Sequence, residues 1–286
     1  MSGEPVLALD ARHELGEGPV WDEREQCLLF VDILRGEIRR FDPRTGAATT
    51  IAQVDGTVGA IALTRSGRVL AAAGTRLLLD GTLVAEAPDA DPQAVRFNDG
   101  AVDAAGRFWA GTMALDESPG HGTLYRFDEG SLMPAVAAVS ISNGIDWTLD
   151  GTQMYYADST EQRVDVFDFD PESGSLSGRR PFVEIDPVDG TPDGLTVDAE
   201  GHLWLALWDG WALRRYRPDG SLERIVELPV SRVTSCAFGG DDLSDLYVTS
   251  ARTGLSEAEL RAQPQAGGLF ALRPGVAGRA ANRFAD

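Results

Sequence analysis

The chain has 286 residues, of which 43% are hydrophobic and 32 are glycine, while helical periodicity is scarce. This composition favours many short strands joined by turns, in one large domain or two ordinary ones. The formal net charge of −20 at pH 7, from 45 acidic and 25 basic residues, argues against nucleic acid and against an anionic membrane surface as partners.

The N-terminal residues show no targeting signal. Residues 1–15 contain no basic segment followed by a long apolar run, so no secretory signal peptide is predicted. No segment approaches the ~20 apolar residues that cross a bilayer. We therefore expect a cytoplasmic protein, and the absence of an exposed apolar stripe in the sequence predicts a monomer.

A short β-prone segment recurs along the chain at intervals of about 40 to 50 residues. Five of its six copies begin with glycine, and the leading residues in chain order are Gly18, Gly59, Gly100, Gly144, Gly194 and Cys236. A turn and a second β-prone run follow most copies, as where Asp150-Gly151 leads to residues 154–156. Such a turn between two β-prone runs indicates a hairpin.

Repeating units of about four strands at this spacing are typical of the blades of a β-propeller. The sequence therefore predicts an all-β, six-bladed β-propeller with four-stranded antiparallel blades around a central channel, as a single domain over residues 1–286. The leftover run Val6–Leu9 is expected to complete the last blade and close the ring. A β-sandwich is the alternative fold, but it does not explain the near-constant spacing.

Polar residues directly precede several of the leading positions. The six residues are Glu17, Val58, Asp99, Asn143, Asp193 and Ser235. In a propeller, equivalent positions in the first strands surround the channel, so these side chains are expected near one mouth of it. Converging carboxylate and amide oxygens suit a hard divalent cation. An Asp-Gly or Asn-Gly pair alone also fits a simple turn, but Glu is not a favoured turn residue.

A long loop over residues 251–267 contains a helix signal. Its segment Ser256-Glu257-Ala258-Glu259 has the pattern of a capping box that opens a short helix. A loop of this length over the channel mouth could act as a lid or be an ornament.

Several motifs together resemble one known family. The segments are Leu15-Gly16-Glu17-Gly18-Pro19-Val20-Trp21, Arg96-Phe97-Asn98-Asp99-Gly100, Gly111-Thr112-Met113, Ser142-Asn143-Gly144-Ile145, Asp158-Ser159 and Pro192-Asp193-Gly194. As a set, they resemble the senescence-marker-protein, gluconolactonase and regucalcin-like family of six-bladed propellers. The resemblance covers most of the chain.

The resemblance implies roles for six residues. Glu17, Asn143 and Asp193 are similar to the family's protein ligands for one divalent cation, which agrees with the argument from the repeat. Arg96 and Asn98 resemble the residues that hold the ring oxygens and hydroxyls of the substrate. At the substrate mouth, where the family often carries a further acidic residue, this sequence has Asp116. An oxygen-only site is compatible with Ca²⁺, Mg²⁺, Mn²⁺, Fe²⁺ or Zn²⁺.

The implied activity is hydrolysis of small sugar lactones, such as gluconolactone, xylonolactone or arabinolactone, to aldonic acids. The metal would act as a Lewis acid on the lactone carbonyl, and Asp193 is the expected general base. Asp116 or a metal-bound hydroxide are the alternatives for the base. Two other functions stay open: a metal-dependent phosphotriesterase or other lactonase, and a calcium-binding propeller without catalysis.

Overall fold

The computed structural model describes residues 3–88 and 90–286, and within them 24 strands form six four-stranded antiparallel sheets. The predicted all-β, six-bladed β-propeller is therefore confirmed. That residues 1–286 form a single domain stays a prediction. Met1, Ser2 and Asp89 lie outside the described residues.

The strands follow one another blade by blade along the chain, after a first strand that belongs to the last blade. In chain order they are β1 (Val6–Leu9); in blade one, β2 (Gly16–Asp22), β3 (Cys27–Asp32), β4 (Glu37–Asp42) and β5 (Ala47–Gln53); in blade two, β6 (Val58–Leu63), β7 (Val69–Ala73), β8 (Arg76–Leu79) and β9 (Thr82–Glu86); in blade three, β10 (Val95–Val102), β11 (Phe108–Ala114), β12 (Gly122–Asp128) and β13 (Ser131–Val139); in blade four, β14 (Ser142–Trp147), β15 (Gln153–Asp158), β16 (Arg163–Asp170) and β17 (Ser175–Glu184); in blade five, β18 (Thr191–Val197), β19 (Leu203–Trp208), β20 (Ala212–Tyr216) and β21 (Leu222–Glu227); and in blade six, β22 (Val233–Gly239), β23 (Asp245–Ser250) and β24 (Leu269–Leu272).

Blade six is completed by the first strand of the chain. Strand β1 pairs with β24 in antiparallel register, with Val6 opposite Ala271. The sequence prediction for Val6–Leu9 is thus confirmed. Because residues from both ends of the chain share one sheet, backbone hydrogen bonds hold the ring of blades closed.

Two 3₁₀ turns and one helix accompany the strands within the described residues. The turns cover Ser159–Glu161 and Pro187–Asp189, and the helix α1 covers Glu257–Ala262 in the loop between β23 and β24. The predicted capping box is present: the Ser256 hydroxyl accepts from the Glu259 amide, and the Glu259 carboxylate accepts from the Ser256 amide. No helix of the described residues is long and apolar enough to cross a membrane.

The hydrophobic core lies between neighbouring blades. Trp109 of blade three packs edge-on against Trp147 of blade four, with ring centroids 6.3 Å apart. Trp204 of blade five meets Phe238 of blade six at 6.1 Å. Trp21 of blade one stacks on Tyr247 of blade six at 5.7 Å. Large buried aromatic side chains therefore join each of these blades to the next.

The first strand of every blade carries a register shift close to its leading glycine or cysteine. In β14, the shift falls between Ser142 and Ile145, and in β18 between Pro192 and Leu195. The leading glycines therefore lie inside strands and not in turns. A Cβ on Gly144 would lie 2.5 Å from the Leu195 side chain, so only glycine allows blades four and five to approach this closely. Such bulges change the direction of neighbouring side chains.

Candidate active site

A cavity of about 520 Å³ opens at one mouth of the channel. Its lining includes five of the six residues selected from the sequence, which are Glu17, Arg96, Asn98, Asn143 and Asp193. The five come from the first strands of blades one, three, four and five. All five side chains are buried. Distant parts of the chain therefore meet in one small polar site.

Glu17 is a buried residue of this cavity's lining and has an unsatisfied oxygen. Its Oε2 accepts a hydrogen bond from the Gly18 amide, but no N–H or O–H group of the described residues donates to the buried Oε1. Burial raises the pKa of Glu17 well above its usual value, and the nearby carboxylates of Asp193 and Asp99 raise it further. The positive charge of Arg96 offsets only part of this rise in the pKa.

Asp193 shares the same surroundings. Burial raises its pKa well above the ordinary value, and the charge of Asp99 adds to the effect. The pKa of Asp99 itself rises to about 6 because the carboxyl is buried. Asp99 thus disfavours negative charge on both Glu17 and Asp193, and a side-chain hydrogen bond with Glu17 offsets part of this effect for Asp193.

A chain of hydrogen bonds crosses the floor of the cavity from blade three to blade five. Arg96 Nη1 donates to Asn98 Oδ1 at 2.7 Å, and Asn98 Nδ2 donates to Asn143 Oδ1 at 3.3 Å. Asn143 Nδ2 donates to Ser159 Oγ at 2.8 Å, and that hydroxyl donates to the Pro192 carbonyl at 2.8 Å. The chain fixes which end of the Asn143 amide faces each neighbour.

The donor set fits a divalent cation. Glu17, Asn143 and Asp193 supply oxygen atoms only, which are the ligands that Ca²⁺ and Mg²⁺ prefer. The unpartnered Glu17 Oε1 and the mutual repulsion of the carboxylates would both be relieved by a positive charge. Within residues 3–88 and 90–286, no group of three or more His, Cys, Asp or Glu side chains is arranged to hold a metal, so the amide of Asn143 is needed to complete three ligands.

Asp116 does not join the other predicted residues. Its exposed carboxylate accepts hydrogen bonds from the Ser118 amide and hydroxyl at 3.0 and 2.6 Å, and these bonds lower its pKa. It lines a neighbouring pocket beside blade three. The next residue, Glu117, lines the 520 Å³ cavity instead and interacts electrostatically with Arg96.

Three of the six side chains that we expected at this mouth do not line the main cavity. Asp99 and Ser235 line a second cavity of about 150 Å³ farther along the channel, and Val58 is fully buried. In blade three, the register shift between Phe97 and Asp99 lets Asn98 face the mouth. Identical spacing from the leading residue therefore does not give identical side-chain directions, because the bulges differ between blades.

Two aspartates hold the chain segments that precede Glu17 and Asn143. The sequence analysis assigned no role to either aspartate. Asp32 accepts hydrogen bonds from the two amides that lie two and three residues before Glu17, at 3.1 and 3.0 Å. Asp158 does the same for the amides before Asn143, at 3.0 and 2.9 Å. Each is the last residue of the second strand of its blade, and this shared position is the sequence signal for the pair.

Comparisons with known proteins identify the family. Residues 15–252 match the family model described as the SMP-30/Gluconolactonase/LRE-like region. The chain belongs to this family. Regucalcin from Gallus gallus is 41% identical over 274 residues, which cover 91% of each chain.

Solved structures of family members have the same fold. A structure described as a calcium-binding protein, regucalcin, from Agrobacterium tumefaciens superposes with a TM-score of 0.91 at 31% identity, covering 97% of this chain and 96% of the other. A luciferin-regenerating enzyme gives a TM-score of 0.90 at 30% identity, with 99% and 100% covered. The resemblance inferred from the motifs is therefore confirmed, and a lactonase or calcium-binding role is the function class that the family indicates.

Proposed function

We propose that the protein hydrolyses small sugar lactones to aldonic acids with the help of one divalent metal ion. The observation that carries the proposal is the convergence of Glu17, Asn143 and Asp193 on one cavity beside Arg96 and Asn98. These three would hold the ion, with Ca²⁺, Mg²⁺, Mn²⁺, Fe²⁺ and Zn²⁺ as candidates. When bound, such an ion polarises a carbonyl and stabilises negative charge on its oxygen.

Arg96 and Asn98 are proposed to orient the lactone ring. The hydrogen bonds that Arg96 makes with described residues both use Nη1, so Nη2 and Nε are left for substrate oxygens. Burial lowers the pKa of Arg96 to about 10, so the guanidinium still carries its charge at neutral pH. A fixed cationic donor beside the site holds the ring in one orientation.

Asp193 is proposed as the general base that takes a proton from the attacking water. The water oxygen then bonds to the carbonyl carbon, the ring C–O bond breaks, and the proton held by Asp193 passes to the ring oxygen. For the acidic residue at the mouth we favour Glu117, because it lines the cavity, and Asp116 stays as the alternative. Positioned proton transfer of this kind contributes about 10²- to 10⁴-fold to a rate.

The net charge bears on the partners of the protein. The net charge of −20 supports a small-molecule substrate and argues against nucleic acid or an anionic membrane as partner. We propose a cytoplasmic monomer.

The first test is acid release from a panel of aldonolactones, followed with a pH indicator on chelator-treated protein and after each divalent ion is restored. We expect metal-dependent release above the spontaneous rate, reduced at least about 100-fold in Glu17→Gln and Asp193→Asn. Glu227→Gln and Asp168→Asn, which change exposed carboxylates, serve as matched controls. If Asp193→Asn binds metal and keeps full turnover, Asp193 is excluded as the base, and Asp116→Asn and Glu117→Gln are compared next.

A calcium-binding propeller without catalysis is the second candidate, because the solved relative from Agrobacterium tumefaciens is described as a calcium-binding protein. Folded protein that binds Ca²⁺ but opens no lactone would support it and overturn the lactonase. Turnover of a phosphotriester alone would instead favour the metal-dependent phosphotriesterase.

A further inference from the structure

Part of the cavity's lining is apolar, beside the charged side chains of Glu117 and Arg232, which also line it. Leu34 and Leu115 line it and are 45% and 50% exposed, and Trp208 lines it as well. Leu34 follows β3 in blade one, Leu115 follows β11 in blade three, and Trp208 ends β19 in blade five. Because these blades alternate around the channel, the three apolar side chains surround the mouth on three sides.

Trp208 forms a fixed part of this lining. The Arg232 guanidinium lies over the indole, 4.7 Å from the ring centroid. Arg232 Nε also donates to Asp209 Oδ1 at 3.1 Å, and Nη1 donates to the Thr253 carbonyl. A cation held over one face of an indole restricts the position of the ring. An aromatic ring that Arg232 helps to position is therefore part of the cavity's lining.

The cavity is larger than one sugar ring requires. Its volume of about 520 Å³ falls in the range of about 300–1,000 Å³ that is usual for sites of drug-sized ligands. A single lactone ring on the floor would leave Leu34, Leu115 and Trp208 facing water. Single exposed leucines are common on protein surfaces, but here two of them and an aromatic ring line one cavity that is continuous with a polar floor.

We propose that this site takes lactones that carry a linear alkyl substituent, with the lactone ring on the polar floor and the alkyl chain against Leu34, Leu115 and Trp208. The proposal rests on the lactonase function proposed above. Each methylene that is fully removed from water on binding should raise kcat/KM for the substituted lactone by roughly fourfold relative to the unsubstituted one.

The test compares γ-butyrolactone with γ-octanolactone, which has the same ring and a butyl chain, and includes gluconolactone as an independent substrate. We expect kcat/KM to be at least about tenfold higher for γ-octanolactone than for γ-butyrolactone. In the double variant Leu34→Ser/Leu115→Ser, this ratio should fall by about tenfold. Leu149→Ser is the matched control, because Leu149 is 53% exposed in the turn between β14 and β15, away from the cavity, and should keep the ratio.

The outcomes separate the two proposals. If gluconolactone is hydrolysed but the γ-lactones are not, or their ratio is near one, or the ratio is unchanged in the double variant, the alkyl subsite is overturned and the lactonase stands. If metal-loaded protein hydrolyses neither of the γ-lactones nor any lactone of the aldonolactone panel, the lactonase fails and the alkyl subsite fails with it.

Discussion

The Asn143 amide has its orientation fixed by its neighbours. A side-chain amide has one accepting end and one donating end, and only the oxygen can bind a cation. Ser159 Oγ accepts from Nδ2 at 2.8 Å, which directs the nitrogen towards the first turn after β15 and leaves Oδ1 on the side of Asn98. Ser159 is therefore a positioning residue for the proposed metal site.

Replacing Ser159 by alanine should weaken metal binding. Without the hydroxyl, the amide of Asn143 can rotate, and loss of such a supporting hydrogen bond usually costs about 10- to 100-fold in metal affinity. Calcium titration by calorimetry measures the change. Ser159→Thr, which keeps a hydroxyl, should restore most of the affinity, whereas a purely structural role would lower the melting temperature of the metal-free protein without changing the affinity. Equal affinity in Ser159→Ala and the parent would contradict the assignment.

The hairpins at the start of blades three and five are built around one buried aspartate each. Asp103 Oδ1 accepts three backbone amides, and its Oδ2 accepts from Trp109 Nε1 at 2.9 Å and from Arg107 Nε at 2.6 Å. Asp198 repeats the pattern, with Trp204 Nε1 at 2.9 Å and Arg215 Nε at 2.8 Å. Each carboxylate thus joins a turn to an aromatic side chain of the core between the blades.

The variant Asp103→Asn should be strongly destabilising. The amide group brings N–H donors where the site needs acceptors, and it leaves the buried Arg107 without its counter-ion. Breaking a buried ion pair in this way usually lowers the free energy of unfolding by about 3–5 kcal/mol. Urea denaturation measures the loss. Asp42→Asn, at an exposed pair with Arg44, is the control and should change stability little. A loss as small as that of the control would show that the turn does not depend on this charge.

The C-terminal residues 276–286 cross several blades on the side of the channel opposite the proposed site. Arg279 donates to Asp146 of blade four at 2.8 Å, and Arg283 donates to Asp22 of blade one at 2.7 Å. Phe284 pairs with Thr64 next to blade two and stacks on Phe127 of blade three, with ring centroids 5.3 Å apart. The segment also lines the cavity of about 150 Å³, so it contributes to closing that end of the channel.

Truncating Phe284 to alanine should therefore destabilise the whole propeller. The side chain is 6% exposed, and removing a buried phenylalanine usually costs about 3–5 kcal/mol. Thermal unfolding of Phe284→Ala should show a lower melting temperature in one cooperative transition. Ile225→Ala, at a 49% exposed position on the outer strand β21, should unfold close to the parent. Two separate transitions would indicate that the segment stabilises only the blades it contacts.

The amino-acid sequence determined the fold and selected most residues of the candidate site. The spacing of the repeated segment predicted six blades because each blade is a local unit with its own turns, and the leftover Val6–Leu9 run predicted how the ring closes. The same spacing, together with the family resemblance, selected Glu17, Asn143 and Asp193. These inferences depend on order along the chain, which the sequence contains in full.

The tertiary structure decided the directions of the side chains. The bulge in β10 brings Asn98 to the mouth, while Asp99 lines the second cavity. Glu117, with φ of +59°, lines the main cavity while Asp116 lines the neighbouring pocket. A register shift or a residue with a left-handed backbone changes which side chain faces a cavity, but it leaves the spacing of residues along the chain unchanged. Such local changes in the backbone depend on packing against neighbouring strands and loops. The apolar part of the lining formed by Leu34, Leu115 and Trp208 also arises only when three separate blades are brought around one channel.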